Sequence, residues 1–169
     1  MAFPKSELIW FNGKFVPWDD ATVHVGVHAL HYGSSVFEGL RAYSTPRGPA
    51  IFCLDQHTDR LFGSAKMVKM PIPFAREEIR TATIEIVRAN NLASCYIRPI
   101  AFRGFGGFSL DPRKFPVDVA VLAFPWGAYL GPAALEQGVD VGVSSWRRMA
   151  PGTFPAMGKI GGQYVNSSF

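Results

Sequence analysis

From residue 35 to residue 43 the side chains alternate with period two, the spacing of a β-strand. Phe37, Gly39, Arg41 and Tyr43 fall on one face, and Val36, Glu38, Leu40 and Ala42 on the other. Residues 94–102 alternate in the same way, with Tyr96, Arg98, Ile100 and Phe102 opposed to Cys95, Ile97, Pro99 and Ala101. Pro99 removes a ladder donor, which predicts an edge strand or a local irregularity. Residues 117–124 form a continuous apolar run, as expected of a central strand. Asn12-Gly13 between apolar runs at 8–11 and 14–16 predicts a tight hairpin, because both turn residues must take positive φ. Shorter strands are expected at 50–54 and 139–145.

Two stretches carry a helical period instead. Leu61, Ala65 and Val68 recur over 56–69, which Pro71 and Pro73 close. Ile79, Ala82, Ile86 and Ala89 recur over 76–90, where Asn90 and Asn91 supply a stop. The loop at 104–116 is rich in Gly, Phe and Pro, and its Phe105 and Phe108 are expected to cover a pocket or a partner. A short helical turn is expected at 133–137. The fold class is therefore α/β of the α+β kind: a small domain with a mostly antiparallel sheet and two helices over residues 1–128. A linker at 129–137 and the start of a second, larger domain at 138–169 follow. The chain stops at 167–169 without a cap or polar tail, so a truncated chain, inactive alone, is expected.

Only 18% of the residues are charged while 14% are aromatic, a balance that points to extra buried surface at a subunit or domain contact. The +4 net charge is scattered, and no basic stripe suits nucleic acid. An anionic small molecule fits the surplus equally well. Residues 1–7 lack a signal-peptide stretch, and no apolar run approaches the ~20 residues of a membrane span. A cytoplasmic protein with no membrane partner is expected, with Cys53 and Cys95 as reduced core thiols.

Lys159 lies among small residues, in Pro155-Ala156-Met157-Gly158-Lys159-Ile160-Gly161-Gly162, which would let the backbone approach a ligand. No carboxylate occurs from 141 to 169. A desolvated amine without a carboxylate partner is a competent nucleophile, although a solvated loop lysine is the simpler reading of these features alone. Arg60 offers a planar fork suited to phosphate, or a surface pair with Asp59 or Asp55. Arg41 and Arg98 share strand faces with aromatics and must be paired or line a polar cavity. His24, His28 and His31 have helical spacing, but Gly26 and three valines oppose a helix there, and no further ligand joins them, so no metal site is expected. Gly104, Gly106 and Gly107 do not form a dinucleotide fingerprint.

Five segments occur in order: Phe37-Glu38-Gly39-Leu40-Arg41-Ala42-Tyr43, His57-Thr58-Asp59-Arg60-Leu61, Tyr96-Ile97-Arg98-Pro99, Pro125-Trp126-Gly127-Ala128-Tyr129 and Lys159-Ile160-Gly161-Gly162-Gln163-Tyr164. Together they resemble, at matching spacing, the bacterial branched-chain amino-acid aminotransferases, fold-type IV enzymes that use pyridoxal 5'-phosphate. The resemblance implies transamination of L-leucine, L-isoleucine and L-valine with 2-oxoglutarate or glutamate. It implies that Lys159 holds the cofactor as a Schiff base and shuttles the substrate proton. Arg60 would grip its phosphate, and Tyr164 would bond its phenolic oxygen. Phe37, Gly39, Tyr96 and Tyr129 would wall the substrate pocket, Tyr32 would reach across a homodimer or higher homo-oligomer, Arg98 would meet the glutamate side chain, and Arg41 would order the network. The loop at 104–112 would reach the neighbouring subunit's site. Gln163 and Ile160 depart from the Asn and Ala more often found there. D-amino-acid aminotransferase, aminodeoxychorismate lyase and a non-catalytic fragment are the alternatives.

Overall fold

The computed structural model describes residues 3–127, 131 and 133–168, the side chain of Leu135 excepted. In chain order it contains β1 (Leu8–Phe11), β2 (Lys14–Pro17), α1 (His28–Tyr32), β3 (Ser35–Phe37), β4 (Leu40–Thr45), β5 (Gly48–Ile51), α2 (Leu54–Met67), α3 (Arg76–Ala89), β6 (Cys95–Arg103), β7 (Val117–Phe124) and α4 (Ala133–Gln137). A 3-10 segment, Gly161–Ser168, follows. Every pairing is antiparallel, in the order β2-β1-β7-β6-β4-β5, with β3 beside β4 on the same edge of β6.

The hairpin forms as expected: Asn12 and Gly13 have φ of 47° and 90°. Asn12 also joins its turn to β7, accepting from the Val119 N–H at 2.8 Å. α3 begins where Glu78 accepts from the Ala75 N–H at 2.7 Å, half of a capping box. It ends at Asn90, whose side chain accepts from Leu8 N–H at 2.9 Å and donates to Leu8 O at 3.0 Å, tying the helix to β1.

α2 and α3 cover one face of the sheet. Leu61, Ala65, Ile79, Ala82 and Ile86 pack there against Val36, Leu40, Ala42, Ile97, Val119 and Val121. All of them are buried, and each large aliphatic contributes about 1.5–3 kcal/mol by leaving water. The other face, with Phe37, Arg41, Tyr96 and Arg98, is only partly covered.

Three expectations are corrected. The strand expected over 35–43 is two strands, β3 and β4; of the two outcomes expected from Pro99, the local irregularity occurs, in a β6 that is interior. The break turns on Pro99. Glu38 N–H donates to Pro99 O at 2.8 Å, but proline has no N–H to return the bond, so the ladder lapses for two residues while its register continues. The strand expected at 139–145 is absent. Val139, Val141 and Val143 project outward without a ladder partner among the described residues, and an unpaired segment is not a strand. A short helix, α1, does form over His28–Tyr32; it starts only after Val27, so His24 lies outside it. Among the described residues no helix is long and apolar enough to cross a membrane.

Candidate active site

Lys159 reaches the open face because its segment extends the sheet beyond β3. Val36 and Ile160 form an antiparallel bridge, and Phe37 N–H donates to Lys159 O at 3.1 Å. Residues opposed across a ladder share a face, so Lys159 stands beside Phe37. Its backbone N–H is held by Ser64 Oγ of α2 at 2.9 Å. Its Nζ donates to the Tyr164 hydroxyl at 2.7 Å and lies 4.6 Å from the Phe37 ring centroid and 4.8 Å from that of Tyr164. Among the described residues no carboxylate pairs with it. Two ring faces and a hydroxyl can hold an ammonium without fixing it as a counter-ion would.

The small residues around Lys159 let its segment pack closely. A Cβ on Gly33, whose φ is +64°, would lie 2.7 Å from Gly162 Cα. One on Gly161 would meet Ser35 Oγ. The lysine segment thus lies directly on the turn between α1 and β3, and Gln163 closes it by donating to Gly158 O at 2.6 Å.

Arg60 pairs with neither Asp59 nor Asp55, which engage Arg76 and Arg80. Its partner is Glu38. Arg60 Nε donates to Glu38 Oε1 at 2.5 Å, Arg60 Nη2 to Oε2 at 2.6 Å, and His57 Nδ1 meets Oε2 at 2.8 Å. Burial pushes the Glu38 carboxyl upward, but the hydrogen bonds from Arg60 and then His57, with their charges, outweigh it and hold it below the usual carboxylate range. The same hydrogen bond raises Arg60, against a smaller opposing effect of burial. About half of the Arg60 side chain stays exposed, while Glu38 is wholly buried.

The remaining open face is aromatic and cationic. Tyr96 packs edge-on against Trp126, with ring centroids 4.8 Å apart, and tilted against Phe124 at 5.5 Å. A Cβ on Gly39 would collide with the Tyr96 hydroxyl, so only glycine lets that ring lie across β4. Arg98 donates to the Tyr96 hydroxyl at 2.8 Å and sits over the Phe37 ring at 4.6 Å. Arg41 donates to Gly127 O at 2.8 Å, fixing the segment that follows β7. The structure therefore gathers Lys159, Tyr164, Phe37, Gly39, Tyr96, Arg98 and Arg41 on or beside the open face, with Arg60 on α2. Tyr129 lies outside the described residues.

Tyr32 belongs to another cluster. It donates to Phe108 O at 3.3 Å and packs against His28, which itself bonds Ser34 Oγ at 2.7 Å and Ser109 O at 3.1 Å. Phe105 and Phe108 pack against His24 and His31 yet remain largely exposed. Among the described residues no group of His, Cys, Asp and Glu stands together to hold a metal. Cys95 is buried and its thiol is pushed up to about 11 by that burial, whereas Cys53 is partly exposed.

Sequence reasoning assigned no role to Glu38, His57 or Ser64. Glu38 did leave a signal: it is a carboxylate on the apolar face of an alternating strand, where it must be paired, and His57 and Arg60 lie one turn apart on the facing helix.

Residues 35–166 match the family model described as Amino-transferase class IV. The branched-chain-amino-acid aminotransferase of Escherichia coli (strain K12) is 49% identical over 168 residues, covering 99% of this chain and 54% of that protein. The enzyme of the same name from Pseudomonas aeruginosa is 50% identical over 160 residues, covering 95% and 52%. Among solved structures, the E. coli branched-chain amino acid aminotransferase superposes with a TM-score of 0.94 at 50% identity, over 97% of this chain and 54% of that one. A T.th. branched-chain amino acid aminotransferase with pyridoxamine 5'-phosphate gives 0.92 at 49%, over 98% and 55%. The chain spans about half the length of the curated relatives it matches.

Proposed function

The chain belongs to the class IV aminotransferases, and on that premise we propose that it serves transamination of L-leucine, L-isoleucine and L-valine with 2-oxoglutarate, using pyridoxal 5'-phosphate. The observation that carries this reading is the Lys159 amine, bonded to a phenol, flanked by two rings and without a carboxylate partner among the described residues. The names of the similar enzymes, and the pyridoxamine 5'-phosphate of one of them, support the choice of substrate and cofactor.

The residues present fit such a cofactor: an amine to hold its aldehyde carbon, a hydroxyl 2.7 Å from that amine, and a half-exposed arginine for its phosphate. When bound, the cofactor supplies an aldehyde and an electron sink. Lys159 would hold it and then move the proton at the substrate Cα. Tyr164 would orient the amine and bond the phenolic oxygen, and Arg60 would grip the phosphate. Phe37, Tyr96 and the backbone left open by Gly39 would exclude water around a branched side chain. Arg98, which the Tyr96 hydroxyl and the Phe37 ring hold in place, would meet the distal carboxylate of glutamate in the same pocket. Tyr129 would add a further wall. Arg41 orders the 126–127 segment.

Residues 1–128 are assigned to a small domain, 129–137 to a linker and 138–169 to the opening of the cofactor domain. A homodimer, or a higher homo-oligomer, would cover the exposed Leu30, Phe105, Phe108 and Leu110 and bring Tyr32 to a neighbouring site.

Because the chain spans about half the length of its relatives, single-turnover assays with L-leucine, L-glutamate, D-alanine and aminodeoxychorismate on a polypeptide of their full length test the reading. Oxo acid is expected from the first two alone. Turnover of D-alanine, or pyruvate from aminodeoxychorismate, would replace the proposal with the corresponding class IV activity. Cofactor uptake without amino transfer would reduce the chain to a binding role.

A further inference from the structure

We propose that Glu38 is a positioning residue for phosphate recognition, acting through Arg60, with His57 as its second support. The inference rests on the reading of Arg60 as the phosphate anchor.

Glu38 occupies the helix-covered face between Val36 and Leu40, at 0% exposure. An apolar residue would continue that face, and a carboxylate there is unfavourable unless its oxygens are fully engaged. They are. Oε1 accepts from Arg60 Nε, and Oε2 from Arg60 Nη2 and His57 Nδ1. His57 and Arg60 are one turn apart on α2, so both reach the same carboxylate from one helix face.

The form of the Arg60 contact is what points to function. Engagement through Nε and Nη2 fixes both the plane and the rotation of the guanidinium. It leaves the Nη1 edge for another acceptor, on a side chain that is 52% exposed. A buried carboxylate thus holds the arginine from behind and leaves its outer edge available to an anion.

Charge alone argues the other way. Glu38 offsets the positive charge of Arg60, so its removal would strengthen a purely electrostatic attraction for phosphate. If Glu38 acts by position, its removal weakens that attraction, because the freed side chain must be ordered when the anion binds. The two accounts predict opposite signs.

The test is the ratio of equilibrium dissociation constants for pyridoxal and pyridoxal 5'-phosphate, which differ only in the phosphate, measured on the whole chain and its variants. R60A should abolish the preference for the phosphate ester. E38Q, which keeps the shape and removes the charge, should cut the ratio by about 10-fold while pyridoxal affinity stays unchanged. H57N should cut it by about 3-fold. A general structural role for Glu38 would shift both affinities together and leave the ratio intact. If R60A leaves the ratio unchanged, the phosphate-anchor reading fails and this inference falls with it. If R60A abolishes the preference but E38Q keeps or raises it, the positioning role alone is overturned. Should E38Q not fold, H57N decides, since His57 reaches the surface: an unchanged ratio there rejects the proposal.

Discussion

The two faces of the β3, β4 and β6 region are made by alternate residues of the same short strands, yet they do different work. On the helix side Val36, Leu40, Ala42, Cys95, Ile97 and Ala101 are sealed beneath the helix layer. On the other side Phe37, Arg41, Tyr96 and Arg98 stay partly open and hold one another through ring, hydroxyl and guanidinium contacts. Period-two geometry lets stability and chemistry be assigned residue by residue, with neighbours in sequence serving opposite ends. Glu38 crosses that division. It lies on the sealed face but grips a residue assigned to the site.

Neighbouring substitutions on β6 probe the division most strongly. Ile97→Ala should lower stability by about 2–5 kcal/mol in denaturant titrations, because it empties a sealed position. Arg98→Ala, one residue on, should cost only about 0.5–1 kcal/mol, the value of its ring contact, and should selectively impair use of glutamate over leucine. Equal losses of stability would erase the distinction between the faces.

A middle-sized effect is expected at Glu38. Its carboxyl is held below the usual range by Arg60 and His57, against the effect of its burial. That stabilisation is complete above the unfolded value near ~4.3 and is lost as pH falls through the lower folded value. Glu38→Gln should therefore cost about 1–2 kcal/mol at neutral pH, discounted for the half-exposed Arg60, and the gap should close on acidification. A gap that widens at low pH would contradict the assignment. A small effect on folding is also expected for Gly39→Ala. Its new methyl must displace the Tyr96 ring, costing about 1 kcal/mol, with a larger penalty in KM for leucine than in thermal stability. An unchanged KM would remove Tyr96 from the pocket wall.

The alternation on β3, β4 and β6, the Asn12-Gly13 hairpin and both long helices were legible because each rests on local periodicity or turn chemistry. The break at Glu38–Gly39 was half legible: Pro99 announced a missing donor, but only the pairing register showed which strand would feel it. Residues 139–145 misled, because alternating valines describe a strand only where a ladder partner exists. Around the site, Lys159, Arg60 and Tyr164 were singled out through resemblance, since spacing alone left a solvated lysine and a surface ion pair as the simpler readings. The Glu38–Arg60 pair and the Ser64 bond to Lys159 were missed because they join distant segments, which no local pattern records.

The central claim is that the Lys159 amine captures the cofactor. Incubation of the chain with pyridoxal 5'-phosphate, borohydride reduction and peptide mass mapping tests it directly. The account predicts a single stable phosphopyridoxyl adduct on Lys159, lost in Lys159→Ala; a protein that stays unlabelled, or carries the adduct on other lysines while Lys159 remains free, would contradict it.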